Sequence, residues 1–156
     1  MKLKYLIIHC TDTPEGRVVT KHDIETWHLG PKPDGRGWSK VGYSDMINLE
    51  GELINLIPFD QDDEVDSFEI SNGARGMNSK SRHVVYVGGQ EKDTRGPKDT
   101  KTIQQIEALT TYIKYTVLRH PDIKIAGHYH FSDKGCPNFD VTHFCRSIGI
   151  DDKNII

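Results

Sequence analysis

The feature that most limits the fold is a set of short, almost wholly apolar runs. Leu3 to His9 is rich in Ile, holds one aromatic residue, lacks helix caps and stops at Cys10-Thr11-Asp12-Thr13-Pro14-Glu15-Gly16. Its brevity and near-continuous hydrophobicity predict a strand buried on both faces of a sheet. Val84 to Val87, halted by Gly88-Gly89, and Ile123 to Ala126, after Pro121, read the same way. Such strands need helices packed over them.

The helices have their own signals. Thr20 is a candidate N-cap for Lys21 to Leu29, with Asp23 three residues on as a capping-box partner. Ile24, Trp27 and His28 share a face there, Gly30 ends the segment, and Pro31 and Pro33 forbid continuation. Asp99 to Arg119 is the longest helical pattern, capped by Asp99, Thr100 or Thr102, with Ile103, Ile106, Leu109, Ile113 and Val117 expected inward. Asp140 caps a last helix that presents Val141, Phe144, Cys145 and Ile148. Two further strand-like runs, Tyr43 to Leu49 and Glu52 to Ile57, flank a Glu50-Gly51 hairpin turn, and residues 60–83 read as irregular. The order β, α, β, β, β, α, β, α predicts an α/β fold: a single mixed central sheet flanked by helices, in one domain over 1–156.

Charge and cysteines narrow the classes. The net charge of −3 gives no cationic pull toward nucleic acid, and neither a nucleic-acid partner nor membrane insertion is expected. The acidic run Asp60 to Asp66 reads as a solvated loop, since it lacks the spacing and glycine of a Ca²⁺ loop. Three cysteines (Cys10, Cys136 and Cys145) argue against a disulfide framework. No run approaches the roughly 18 apolar residues of a membrane span, and none has the form of a signal peptide. The expectation is a monomer, cytoplasmic at synthesis.

Chemistry concentrates in Gly127 to Asp140, which holds His128, His130, Lys134 and Cys136. Imidazole nitrogen and thiolate sulfur are preferred Zn²⁺ donors, and a catalytic zinc takes three protein ligands and one open position. His9, at the end of its strand, is the candidate donor from elsewhere. His9 and His128 each end a buried strand, where sites gather in open α/β sheets. His130 competes with His128, because in an extended segment the two would share a face. Of the other histidines, His22, His120 and His143 have charged neighbours and read as solvated. His83, beside Lys80 and Arg82, reads as surface, and His28 can line a cleft.

Taken in order, these pieces resemble a known family. His9-Cys10-Thr11 after Ile7-Ile8, the Trp27-His28 helix end, and Gly37-Trp38 with Gly42-Tyr43 make up the first half. Gly127-His128, Lys134-x-Cys136-Pro137 and Phe139-Asp140 make up the second. Together they are similar to the N-acetylmuramoyl-L-alanine amidases, the family of amidase-type phage lysozymes and peptidoglycan recognition proteins. The resemblance implies that family's fold, Zn²⁺ as cofactor, His9, His128 and Cys136 as its ligands, and Tyr43 and Lys134 as catalytic helpers. The 71–79 loop resembles a family segment too, so Trp38, Arg75 and Asn78 are expected to border a glycopeptide cleft. The implied reaction is hydrolysis of the amide between N-acetylmuramic acid and L-alanine, by a lysin that reaches the wall after release or delivery. Peptidoglycan or a muropeptide is the implied substrate. The alternative is a non-catalytic peptidoglycan-binding module, although such relatives commonly lack the cysteine. Five positions depart from the usual pattern: Cys10, Ser44, Asp45, His130 and Asn138.

Overall fold

The computed structural model describes residues 1–156. In chain order its elements are strand β1 (Tyr5–Cys10), the short strand β2 (Thr13–Pro14), helix α1 (Lys21–Leu29), and strands β3 (Asp45–Ile47) and β4 (Leu53–Asn55). Strands β5 (Ser81–Tyr86) and β6 (Gly89–Gln90), helix α2 (Ile103–Arg119), strand β7 (Lys124–Gly127) and helix α3 (Val141–Ser147) follow. Five strands form one sheet in the order β4-β3-β5-β1-β7, while β2 and β6 pair separately. β1 lies parallel to β5 and β7, β3 parallel to β5, and the β3-β4 hairpin is antiparallel. This is the expected mixed α/β architecture.

The apolar run of β1 lies inside the sheet, between β5 and β7. Leu6, Ile7 and Ile8 are fully buried, each contributing about 1.5–3 kcal/mol through removal from water. Alternation along the strands divides the core in two. On one face Leu6, Ile8, Val84 and Ile125 pack with Leu109 and Ile113 of α2 and with Val141 and Cys145 of α3. On the other, Met46, Val85 and Val87 pack with Ile24 of α1. The register pairs Ile8 with Gly127, so His9 and His128 emerge side by side from neighbouring strands.

Several boundaries differ from expectation. Thr20 caps α1 with the reciprocal Asp23 bonds, as its spacing predicts. Thr102 alone caps α2, which begins at Ile103. The buried face of α2 is Gln105, Leu109, Ile113 and Thr116, whereas Ile103 and Ile106 are exposed. Gln105 accounts for the rotation: its Nε2 donates to Val87 O at 2.9 Å, so the first turn is keyed to the sheet by a buried polar side chain. The β3-β4 hairpin is shorter than its apolar runs, because Leu56 and Ile57 both donate to Ser44 O and interrupt the ladder. Residues 60–80 carry two 3₁₀ turns, Ser67–Glu69 and Asn78–Lys80, and a single bridge from Glu64 to Lys2. No helix is long and apolar enough to cross a membrane.

Candidate active site

His9, His128 and Cys136 form one cluster, their donor atoms all within 4.8 Å of one another. His9 Nδ1 lies 3.8 Å from Cys136 Sγ. Tetrahedral zinc with ordinary Zn–S and Zn–N bonds would hold two such atoms about 3.5 Å apart. Two imidazoles and a thiolate at this spacing therefore fit a zinc ion with a fourth position left open.

Each donor is placed by its local structure. His9 is the penultimate residue of β1. His128 opens a 3₁₀ turn, His128–His130, directly after β7. That turn removes the shared face an extended segment would have given His130. The His130 ring folds back instead, its Nδ1 accepting the Gly127 N–H at 3.1 Å, and it lies outside the donor cluster. Cys136 sits on a loop pinned from three sides. Tyr86 Oη donates to Pro137 O at 2.8 Å, Asn138 Nδ2 to Gly89 O at 2.7 Å, and Tyr129 N–H to Cys136 O at 2.9 Å.

The electrostatics favour a thiolate at Cys136. The Cys10 side chain, then His128 and His9, hydrogen-bond to it and hold its pKa well below the usual thiol value. The Cys10 N–H also donates to its sulfur at 3.3 Å. Cys10, facing that sulfur and largely buried, is pushed the other way. Burial lowers the pKa of His9, against the opposing pull of Cys136.

The cluster lies at the wall of a cleft of about 990 Å³ that also takes in Trp38, Tyr43, Arg75, Asn78 and Lys134. The Tyr43 ring is 5.3 Å from that of His9, and burial, then Cys136, raises its phenol pKa and keeps it protonated. Lys134 is exposed at the rim. Trp38 packs against His28 with ring centroids 5.0 Å apart and lies under the Arg36 guanidinium at 4.9 Å. Asn78 braces the 71–79 loop as well as facing the cleft, its Oδ1 accepting the Ala74 N–H at 2.8 Å. His28 accepts the Gly42 N–H at Nδ1, 2.9 Å away. Burial, then Arg36, lowers its pKa to about 4.

Two histidines read as exposed are buried. His83 is completely buried in β5, its Nδ1 2.9 Å from His9 Nε2. The strand starts at Ser81, earlier than its apolar core, so Arg82 and His83 point to opposite faces of the sheet. Counting by twos back from Val85 gives the face His83 occupies, while its partner His9 comes from another strand. Arg82 is buried as well, paired with Asp45 at 3.0 Å. Tyr112 Oη at 2.6 Å and Asn55 Nδ2 at 2.8 Å donate to the same carboxylate. His120, at the C-terminus of α2, is buried against Phe59 and bonded to Asp63 at 2.8 Å. His22 and His143 are exposed as expected.

A family model described as N-acetylmuramoyl-L-alanine amidase matches residues 1–139. Among solved structures, the chain is similar to the N-acetylmuramoyl-L-alanine amidase LysC from Clostridium intestinale URNW. Identity is 18%, coverage is 96% of this chain and 87% of that one, and the TM-score is 0.72. It is also similar to the Ph2119 endolysin of a Thermus scotoductus MAT2119 bacteriophage, at 20% identity, 97% and 87% coverage, and a TM-score of 0.72. Drosophila PGRP-LB matches at 23% identity over 88% of this chain and 76% of that one, with a TM-score of 0.65. At these identities the likeness is one of fold. A search of curated proteins found no match.

Proposed function

The chain belongs to the N-acetylmuramoyl-L-alanine amidase family, and from that premise we propose that it is a zinc-dependent amidase cleaving the bond between N-acetylmuramic acid and L-alanine in peptidoglycan. The observation that carries the reading is the complete donor set, His9, His128 and Cys136, at the wall of a cleft of about 990 Å³. Zn²⁺ in such a site supplies Lewis acidity toward a carbonyl and lowers the pKa of water to about 7.

The rest of the chemistry falls to the chain. Lys134, two residues before Cys136 on the same loop, brings a cation to the rim, where it can meet charge developing on the amide oxygen. Tyr43, held protonated by its burial, offers a phenol hydrogen beside His9 to the same region. Trp38, Arg36 and Arg75 offer an aromatic face and two cations to the glycan and the carboxylates of the stem peptide. The wall would be reached by release or delivery.

Likeness to recognition proteins supports a second reading, a binding module without catalysis. Mass spectrometry of sacculus digests, with and without chelator, decides between them. New L-alanine amine termini that vanish with chelator are expected. Their absence from both sacculi and soluble muropeptides would leave the binding module.

A further inference from the structure

We propose that His83 is a positioning residue for the metal ligand His9: it accepts the Nε2–H of that ring and so aims Nδ1 toward the position shared with Cys136 and His128. The inference rests on the zinc reading above.

The protons can be assigned from geometry. His9 Nδ1 faces Cys136 Sγ at 3.8 Å, while His9 Nε2 faces His83 Nδ1 at 2.9 Å. A neutral imidazole carries one N–H, and a ligating nitrogen must be bare. The hydrogen of His9 is therefore on Nε2, where it is donated to His83. His83 Nδ1 is then the bare acceptor, and its own hydrogen sits on Nε2. That buried atom has no partner within the protein. An apolar side chain of similar volume would fill β5 at this point without stranding a donor. The acceptor at Nδ1 is what an imidazole adds.

The ring is also built in. In the β1-β5 register His83 pairs with Ile7 and Val85 pairs with His9, which puts His83 on the His9 face, one pleat back. The His83 N–H is taken by Ser44 Oγ at 3.0 Å. A Cβ on residue 73 would fall 2.4 Å from His83 Nδ1, so the close approach of Gly73 is what leaves room for the ring. His83 is not itself a donor to the metal position. Metal-bound histidines generally give their second N–H to a carboxylate, a carbonyl or water, and that partner fixes the ring's tautomer and angle. Here an imidazole stands in that place.

The test compares His83→Leu, which removes the acceptor, with His83→Asn, whose Oδ1 retains it close to the Nδ1 position. Zinc affinity is read by competition with a chromophoric chelator, and the site by the visible spectrum of the cobalt-substituted protein. His83→Leu should bind zinc about 10–100-fold more weakly with an altered cobalt spectrum, and His83→Asn should stay within about threefold of the parent. His83→Ala takes the place of the Leu variant if that chain does not fold. Parental affinity in the variant lacking an acceptor, or equal losses in both variants, would overturn the proposal. Parent protein that binds no zinc at all would sink the zinc reading, and this inference with it.

Discussion

His9 Nδ1 and Cys136 Sγ lie 3.8 Å apart although 127 positions separate them in the chain. The contact joins the interior strand β1 to a loop pinned by Tyr86 and Asn138. In the proposed zinc site Cys136 would be the one anionic donor of the three. Cys136→Ala should therefore weaken zinc binding more than about 100-fold and abolish amidase activity, with little change in circular dichroism. Metal analysis of the purified variant beside the parent checks this. Stoichiometric zinc in the variant would remove Cys136 from the site.

Lys134 is exposed and contributes nothing to the core. Lys134→Ala is expected to leave thermal stability within about 0.5 kcal/mol. It should keep its zinc and lower kcat by about 10²–10³-fold, the usual cost of removing one oxyanion partner. Zinc content and steady-state kinetics on a soluble muropeptide separate the two effects. Loss of zinc would mean that the lysine shapes the metal loop instead.

Arg82 and Asp45 test the opposite face of the sheet. Both are buried, and Asp45 also holds Tyr112 and Asn55. Arg82→Met would leave the carboxylate without its cation, at a cost of about 3–5 kcal/mol. Adding Asp45→Leu should return much of that stability, because the desolvated charge goes with it. Urea unfolding of the two single variants and the double variant gives the coupling directly.

His28 makes a prediction about pH. Its folded pKa, about 4, lies below the 6.5 of a free histidine, with burial first and Arg36 second among the causes. Between these values the unfolded chain binds the extra proton, so this contribution to stability is complete above about pH 6.5. It is lost as pH falls from there toward 4, and amounts to at most about 3 kcal/mol. His28→Asn keeps an acceptor for the Gly42 N–H but cannot titrate, so its stability should vary less over that range. Parallel slopes for parent and variant in urea unfolding from pH 4 to 8 would contradict this.

Much of the scaffold was legible in the residues. The apolar runs became strands β5, β1 and β7, the first two interior and β7 at the sheet edge, and Thr20, Thr102 and Asp140 cap the helices their spacing marked. His9 and His128 were readable as strand-end residues, and the fold makes those strands neighbours. Residue spacing alone left His128 and His130 equivalent; the resemblance favoured His128, and the 3₁₀ turn leaves His130 bonded to its own backbone.

By itself, then, the sequence determined which segments are strands or helices, and which residue types could meet at a metal. Apolar periodicity carries that information locally, because an apolar side chain gains from burial whatever covers it. Only the tertiary structure decided the fate of the polar residues in those same elements. His83, Arg82, His120 and Gln105 are buried because His9, Asp45, Asp63 and Val87, respectively, supply hydrogen-bond partners there. A polar group is tolerated inside only where a partner repays its desolvation. That partner is set by which distant strands become neighbours, and no local pattern in the chain records it.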